Sequence, residues 1–190
     1  MINKATEDLI VSFEGERLKS YKDTGGIWTI GVGHTSDKNF KVGPNQTITR
    51  EKSRELLRFD VKEAEDAVDR LVKVPINENQ RGALVSFTFN LGEGQLKIST
   101  LLRKLNAGQY SAVPTELNKW VFDDGVKLNG LVRRRKAEGV LWNTPVINST
   151  VPEKPVEEIV LVPTPEVPAE EKPSLWQRII DSILMLLVGR

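Results

Sequence analysis

Between residues 3 and 14, Leu9, Ile10 and Phe13 recur at helical spacing and Gly15 follows as a stop, which predicts a helix with Glu14 at its C-terminal end. Over residues 17–33 the pattern changes to alternation. Trp28, Ile30 and Val32 fall on one face and Thr29, Gly31 and Gly33 on the other, which reads as strand, with Thr24-Gly25-Gly26 supplying the turn. From Thr49, a good N-cap, a long helix is expected through Leu56, Leu57, Val61, Ala64, Val68 and Leu71 to about Val72, a spine that can join two lobes. Further helices are expected over 77–91, 99–107, 110–119 and 129–142, bounded by Pro75, Gly92, Gly108 and Gly125. A small β-containing lobe followed by a helical lobe places the chain in the α+β class.

Past residue 143 the periodicity disappears. The stretch TPVINSTVPEKPVEEIVLVPTPEVPAEEKP, residues 144–173, is rich in proline, glutamate and valine and reads as a linker; fully extended it would reach roughly 90 Å. Residues 174–190 switch again, to an apolar helix with a narrow polar stripe of Gln177, Arg178, Asp181 and Ser182. From Leu175 to Val188 that helix would be about 21 Å long, too short for a hydrocarbon core of roughly 30 Å. It needs a partner: the preceding domain, a membrane surface or a second copy of itself. Trp176, Ile179, Ile183, Leu186 and Arg190 follow a 3-4-3-4 spacing that suits a short coiled coil, and the presence of only two basic residues, Arg178 and Arg190, argues against simple electrostatic anchoring. The expected organisation is therefore a domain over 1–143, a linker over 144–173 and an apolar amphipathic helix over 174–190.

Composition narrows the chemistry. With 27 basic and 26 acidic side chains the charge is nearly balanced, so no nucleic-acid partner or polybasic membrane patch is expected. The chain has no cysteine and one histidine, His34, which excludes disulfides, thiolate chemistry and a histidine-rich metal site within one chain. Carboxylates must carry the acid–base work, and no metal or cofactor is expected. The first residues, MINKATEDLIVSFEGE, lack the apolar core and small-residue cleavage site of a secretory signal.

Glycosidic hydrolysis needs a protonated acid at the leaving oxygen and a carboxylate that activates water or attacks the sugar. Glu14, beside Phe13 where helix meets sheet, is placed to be partly desolvated and to keep a proton near neutral pH. Asp23, in a glycine-containing turn, is expected to stay hydrated and ionised, with Thr29 across the hairpin holding a water by its hydroxyl. On residue types alone, solvated surface carboxylates are the commoner reading.

The segment FEGERLKSYKDTGGIWTIGVGHT resembles the catalytic signature of phage-type lysozymes, glycoside hydrolase family 24: a Glu, eight residues, an Asp, five residues, a Thr, then a glycine-rich strand ending in His. NENQRGALVSFTFNLGEG resembles that family's helix facing the cleft, and GLVRRRKAEGVLW its closing arginine-rich helix, so the likeness runs over about residues 3–143. The resemblance implies a lysozyme-like fold with a cleft between the lobes. It also implies an endolysin that cuts peptidoglycan between N-acetylmuramic acid and N-acetylglucosamine, with Glu14 as general acid, Asp23 as the carboxylate that positions or activates water, and Thr29 as its partner. Release from the host cytoplasm by a holin-type pore and a thin, Gram-negative type of wall are the accompanying expectations. Two rival readings are a lytic enzyme carried on the virion and docked through its C-terminal helix, and a wall-binding module without catalysis.

His34, Phe89 and Asn90 are candidate substrate contacts, although His34 can equally be a packed residue paired with Asp60, and Phe89 a core residue. Trp120 and Trp142 are expected in the core. Arg133, Arg134 and Arg135 are expected to be surface ion pairs rather than contacts to wall peptides. A water held by Asp23 and Thr29 points to inversion, for which the two carboxyl groups should stand about 6.5–9.5 Å apart rather than about 5–5.5 Å.

Overall fold

The computed structural model describes residues 1–146; all but the first three residues of the expected linker, and the whole expected C-terminal helix, lie outside the described residues. Asn3 opens α1 (Lys4–Glu14) by accepting the Thr6 amide with its side chain, and Gly15, at φ 79°, ends it as expected. β1 (Arg17–Lys22), β2 (Trp28–Gly31) and β3 (His34–Thr35) form an antiparallel sheet in sequence order, with Tyr21 opposite Thr29 and Ile30 opposite His34. Residues 24–26 make the turn between β1 and β2. The alternation predicted one buried face, yet Thr29 is also buried and a Cβ on Gly31 would stand 3.1 Å from Ser53 Oγ, because a helix packs closely on that side.

That helix is α2 (Arg50–Asp60), capped by Thr49 as predicted, but the expected spine to Val72 is two helices. α3 (Lys62–Leu71) follows after Val61, whose φ/ψ of −80°/−6° departs from helical values although its amide still reaches Leu57 O and its carbonyl still accepts Glu65 N. Neither proline nor glycine causes the break. Leu56 closes a small cluster with Ile30 and Val42 of the β lobe, whereas its neighbour Leu57, with Val61, Ala64 and Val68, belongs to the large helical core, so α2 already touches both cores before the break.

The helical lobe contains α4 (Glu78–Leu91), α5 (Glu93–Ile98), α6 (Thr100–Asn106), a 3₁₀ turn at Tyr110–Ala112, α7 (Val113–Leu117) and α8 (Asn129–Asn143). Asn77 and Gln80 form a reciprocal capping box at the start of α4. Pattern reading missed α5, which begins directly after Gly92 stops α4, and a hairpin of β4 (Phe122–Asp123) and β5 (Val126–Lys127). Its turn, Asp124-Gly125, has both residues at positive φ, and an Asp-Gly pair between short runs is the sequence signal for it.

Ile10, Leu84, Phe87, Leu101, Leu105, Leu117 and Trp142 meet in the helical core, and each such side chain contributes about 1.5–3 kcal/mol before conformational entropy is subtracted. Trp142 is in the core as expected, whereas Trp120 is only partly buried and packs at its margin, edge-on to Phe87. A Cβ at Gly82 on α4 would lie 1.8 Å from Thr6 Oγ1 on α1. Only glycine lets the two helices approach so closely, and that contact seats the N-terminal turn of α1 against α4.

Candidate active site

Glu14 ends α1 with its side chain 32% exposed, and its Oε1 accepts a hydrogen bond of 2.6 Å from Arg134 Nη1 on α8. The carboxylate opens on a pocket of about 610 Å³ lined also by Phe13, Asn90, Leu128, Leu131 and Arg133. Residues 120 positions apart in the chain thus share one ion pair.

Asp23 sits at the far end of β1, half-buried, and spends one carboxylate oxygen on the turn: Oδ1 accepts the amides of Gly25 and Ile27, each at 2.9 Å. The Asp23 carbonyl accepts the Gly26 amide, and Gly26 adopts the left-handed φ of 79° that closes the loop. Thr29, 3% exposed, donates its hydroxyl to Ile27 O at 3.2 Å. Both candidate side chains therefore grip the backbone of Ile27. Asp23 keeps Oδ2, and Thr29 keeps the lone pairs of Oγ1, for a further partner. Neither residue lines the pocket beside Glu14.

Of the three candidate substrate contacts, Asn90 lines the Glu14 pocket, with its Oδ1 accepting from Arg135 Nη2 at 2.8 Å. Phe89 faces elsewhere, into a separate pocket of about 280 Å³ with Asp60, Glu63 and Thr88, and it packs against the helical core. His34 is buried, 2.9 Å and 3.0 Å from the two oxygens of Asp60 through Nδ1 and edge-on to Phe40. Burial raises the Asp60 carboxyl above its ordinary range against the opposing pull of His34. The pair ties β3 to α2.

Residues 11–138 match the family model described as phage lysozyme. The chain belongs to the phage lysozyme family. Among curated relatives, it is 47% identical over 145 residues to the endolysin of Bacillus phage B103, covering 75% of this chain and 54% of that protein. It is likewise 47% identical over 131 residues to the endolysin of Salmonella phage P22, covering 68% of this chain and 88% of that one. The chain thus spans about half the length of the first of these relatives and most of the second. A crystal structure of a mutant P22 lysozyme superposes with a TM-score of 0.70 at 40% identity, over 76% of this chain and 99% of that one. The α+β architecture with a small antiparallel sheet and a helical lobe is the lysozyme fold, and the chain is a muramidase of the endolysin type.

In this lysozyme the arginines of α8 depart from the surface reading. Arg133 is exposed, but Arg134 and Arg135 are 4% and 0% exposed, and they close on Glu138, which is itself fully buried. Arg134 Nε lies 3.4 Å from Glu138 Oε1, and Arg135 Nε 2.9 Å from Oε2. Ser86 on α4 donates its hydroxyl to Glu138 Oε1 at 2.8 Å and accepts Arg134 Nη2 on its carbonyl at 3.3 Å. The sequence carried a signal for this: Arg134, Arg135, Glu138, Leu141 and Trp142 fall at i, i+1, i+4, i+7 and i+8, so the charges occupy the stripe that buries Leu141 and Trp142. Burial pushes the Glu138 carboxyl up to about 7, against the pull of Arg135, Ser86 and Arg134. Burial also lowers the Arg135 guanidinium from its usual range, with Glu138 opposing.

Proposed function

We propose that the enzyme hydrolyses the β-1,4 bond between N-acetylmuramic acid and N-acetylglucosamine in peptidoglycan, with Glu14 as general acid and Asp23 and Thr29 holding the attacking water. The observation that carries this reading is the division of the site. Glu14 opens on a pocket large enough to take sugar, while Asp23 before the turn and Thr29 on β2 are both fixed to the backbone of Ile27 with an acceptor left on each. Arg134 holds Glu14 Oε1, so Oε2 is the oxygen offered to the leaving group. Asn90 supplies an amide on the same pocket wall. Attack by a held water gives inversion at the anomeric carbon.

Glu14→Gln is expected to keep the fold and lose on the order of 10²–10⁴-fold in kcat, read as muropeptide release from purified walls. A loss of a few-fold would remove the acid role. Asp23→Cys should retain more activity than Asp23→Ala, since a thiolate can still handle water, and equal rates in the two would remove that role for Asp23. The anomer of the first product, followed by NMR, tests inversion.

Two wider features belong to the same proposal. The enzyme accumulates in the host cytoplasm and reaches the wall through a separate membrane pore, so induced cells should lyse only when such a pore is co-expressed. Residues 1–143 act as the catalytic domain, and 174–190 serve attachment to lipid or to a second copy, so a chain ended after Pro145 should still degrade isolated peptidoglycan while losing vesicle binding or self-association.

A further inference from the structure

Two guanidinium groups are buried behind the proposed general acid, and one of them touches it. Arg134 bonds to Glu14 and Arg135 is completely enclosed, with Nη1 lacking any hydrogen-bond partner among the described residues. Two uncompensated positive charges would draw the proton off Glu14. The charge that answers them is Glu138, in contact with both arginines and with the same Ser86 that anchors Arg134.

We propose that Glu138 is a positioning residue for the hydrolysis, which offsets the Arg134–Arg135 charge and so sets the pH up to which Glu14 remains an acid. The inference rests on the reading of Glu14 as the proton donor. With both carboxylates ionised the four groups sum to zero, whereas without Glu138 the set facing Glu14 carries one net positive charge more. The ionisation of Glu138 near neutrality makes the offset complete on the alkaline side, where the acid must still hold its proton.

Other charges packed around α8 are already committed. On α7, Glu116 is taken by Lys104 and Lys119. On α1, Glu7 pairs with Arg58, and Asp8 with Lys4 and Arg54. On α4, Arg81 pairs with Glu65 and Asp69, and Glu78 is exposed to solvent. On α8 itself Arg133 and Lys136 are exposed to solvent and screened. Glu138 is therefore the balancing carboxylate on the buried side of the site.

The test is the alkaline limb of kcat/KM against pH on soluble peptidoglycan fragments. Glu138→Gln should move the limb about one pH unit toward acid, the size expected for a unit charge one guanidinium away at an effective dielectric near 20. Arg135→Gln should move it by a similar amount toward alkali. The double variant Glu138→Gln/Arg135→Gln, neutral overall and the most tolerant to bury, should return the limb to within about half a unit of the parent. A merely structural role lowers kcat without moving the limb. If Glu138→Gln does not fold, the opposite shift of Arg135→Gln and the restored limb of the double variant decide the matter; an unmoved limb in Arg135→Gln, or a displaced one in the double variant, overturns the proposal. Glu14→Gln separates the two levels: an alkaline limb persisting in its residual activity removes the acid assignment itself, whereas a limb that vanishes there yet ignores Glu138 and Arg135 removes only this inference.

Discussion

Asp23 and Glu14 are nine residues apart in the chain, yet they are held by opposite kinds of structure. Asp23 is gripped by two backbone amides of its own turn, at the surface, through contacts that span at most four residues. Glu14 is gripped by one end of a buried charge cluster whose other members stand on α4 and α8, 72 to 124 residues further on. The turn needs little else in the molecule to be correct. The cluster requires the helical core to be assembled first, because isolated buried charges are costly and only close pairing offsets that cost. One half of the proposed site is thus a local device, and the other is a property of the packed lobe.

The largest expected effect tests the packed half. Arg134→Met removes the guanidinium that joins Glu14 to Ser86 and Glu138, leaving the buried Glu138 with Arg135 alone. The expected loss is about 3–5 kcal/mol, the usual result of stripping one partner from a buried pair, measured as a fall in urea midpoint at unchanged slope. A loss under about 1 kcal/mol would mean that the cluster adds nothing the apolar core does not already supply.

A second test separates the halves by pH. The Glu138 carboxyl stands at about 7 in the folded protein against 4.5 as a free group, so folding favours its neutral form. Its contribution is fully present below about 4.5 and is lost as pH rises through 7, a swing of roughly 3 kcal/mol. The stability of the parent minus that of Glu138→Gln should therefore shrink between pH 4.5 and 8. Asp69 and Glu116 work the other way: hydrogen bonds from Arg81, and from Lys104 and Lys119, hold them below their ordinary values, and they weaken the fold as pH falls. The difference between parent and variant cancels those contributions and isolates Glu138.

The same contrast explains what could be read from sequence. Glu14, Asp23 and Thr29 lie within sixteen residues, and helix stop, turn and strand are written in Gly15, Gly25-Gly26 and the run from Trp28 to Val32, so local chemistry predicts their placement. Residue type alone puts Arg134 and Arg135 on the surface because charge usually signals solvent, and their counter-ion Glu138 becomes meaningful only once α8 turns that stripe toward α4. The pattern predicts an unbroken spine for a related reason. Val61 carries the helical period without interruption, and its amide and carbonyl keep their helical hydrogen bonds, so no local pattern marks the break.

On the local half the expected effects are smaller and fall on activity before stability. Thr29→Val keeps the shape of the buried side chain and deletes the hydroxyl, and Ile27 O retains the Asp23 amide as a donor. Stability should change by no more than about 1 kcal/mol, while kcat falls about tenfold, the worth of one hydrogen bond to the proposed water. If stability falls and kcat does not, Thr29 is a packing residue.

The smallest effects concern the turn glycines, and they mark how far strain travels from it. Gly26 has φ 79° and open space around a built Cβ, so Gly26→Ala is penalised by conformation alone, about 1 kcal/mol. Gly25 is not in the left-handed region, and its Cβ would touch Asp23 Oδ1 at 3.4 Å, an ordinary contact, so Gly25→Ala should stay within about 0.5 kcal/mol of the parent. Because the Gly25 amide still donates to Oδ1 in that variant, kcat should hold as well. A turn that positions Asp23 by its amides predicts this ordering, with Gly26→Ala the more damaging in both thermal melting and wall-hydrolysis rate. Equal losses at the two positions would instead place the sensitivity in the crowding around Asp23, and the hairpin would then resemble the α8 cluster in depending on packing.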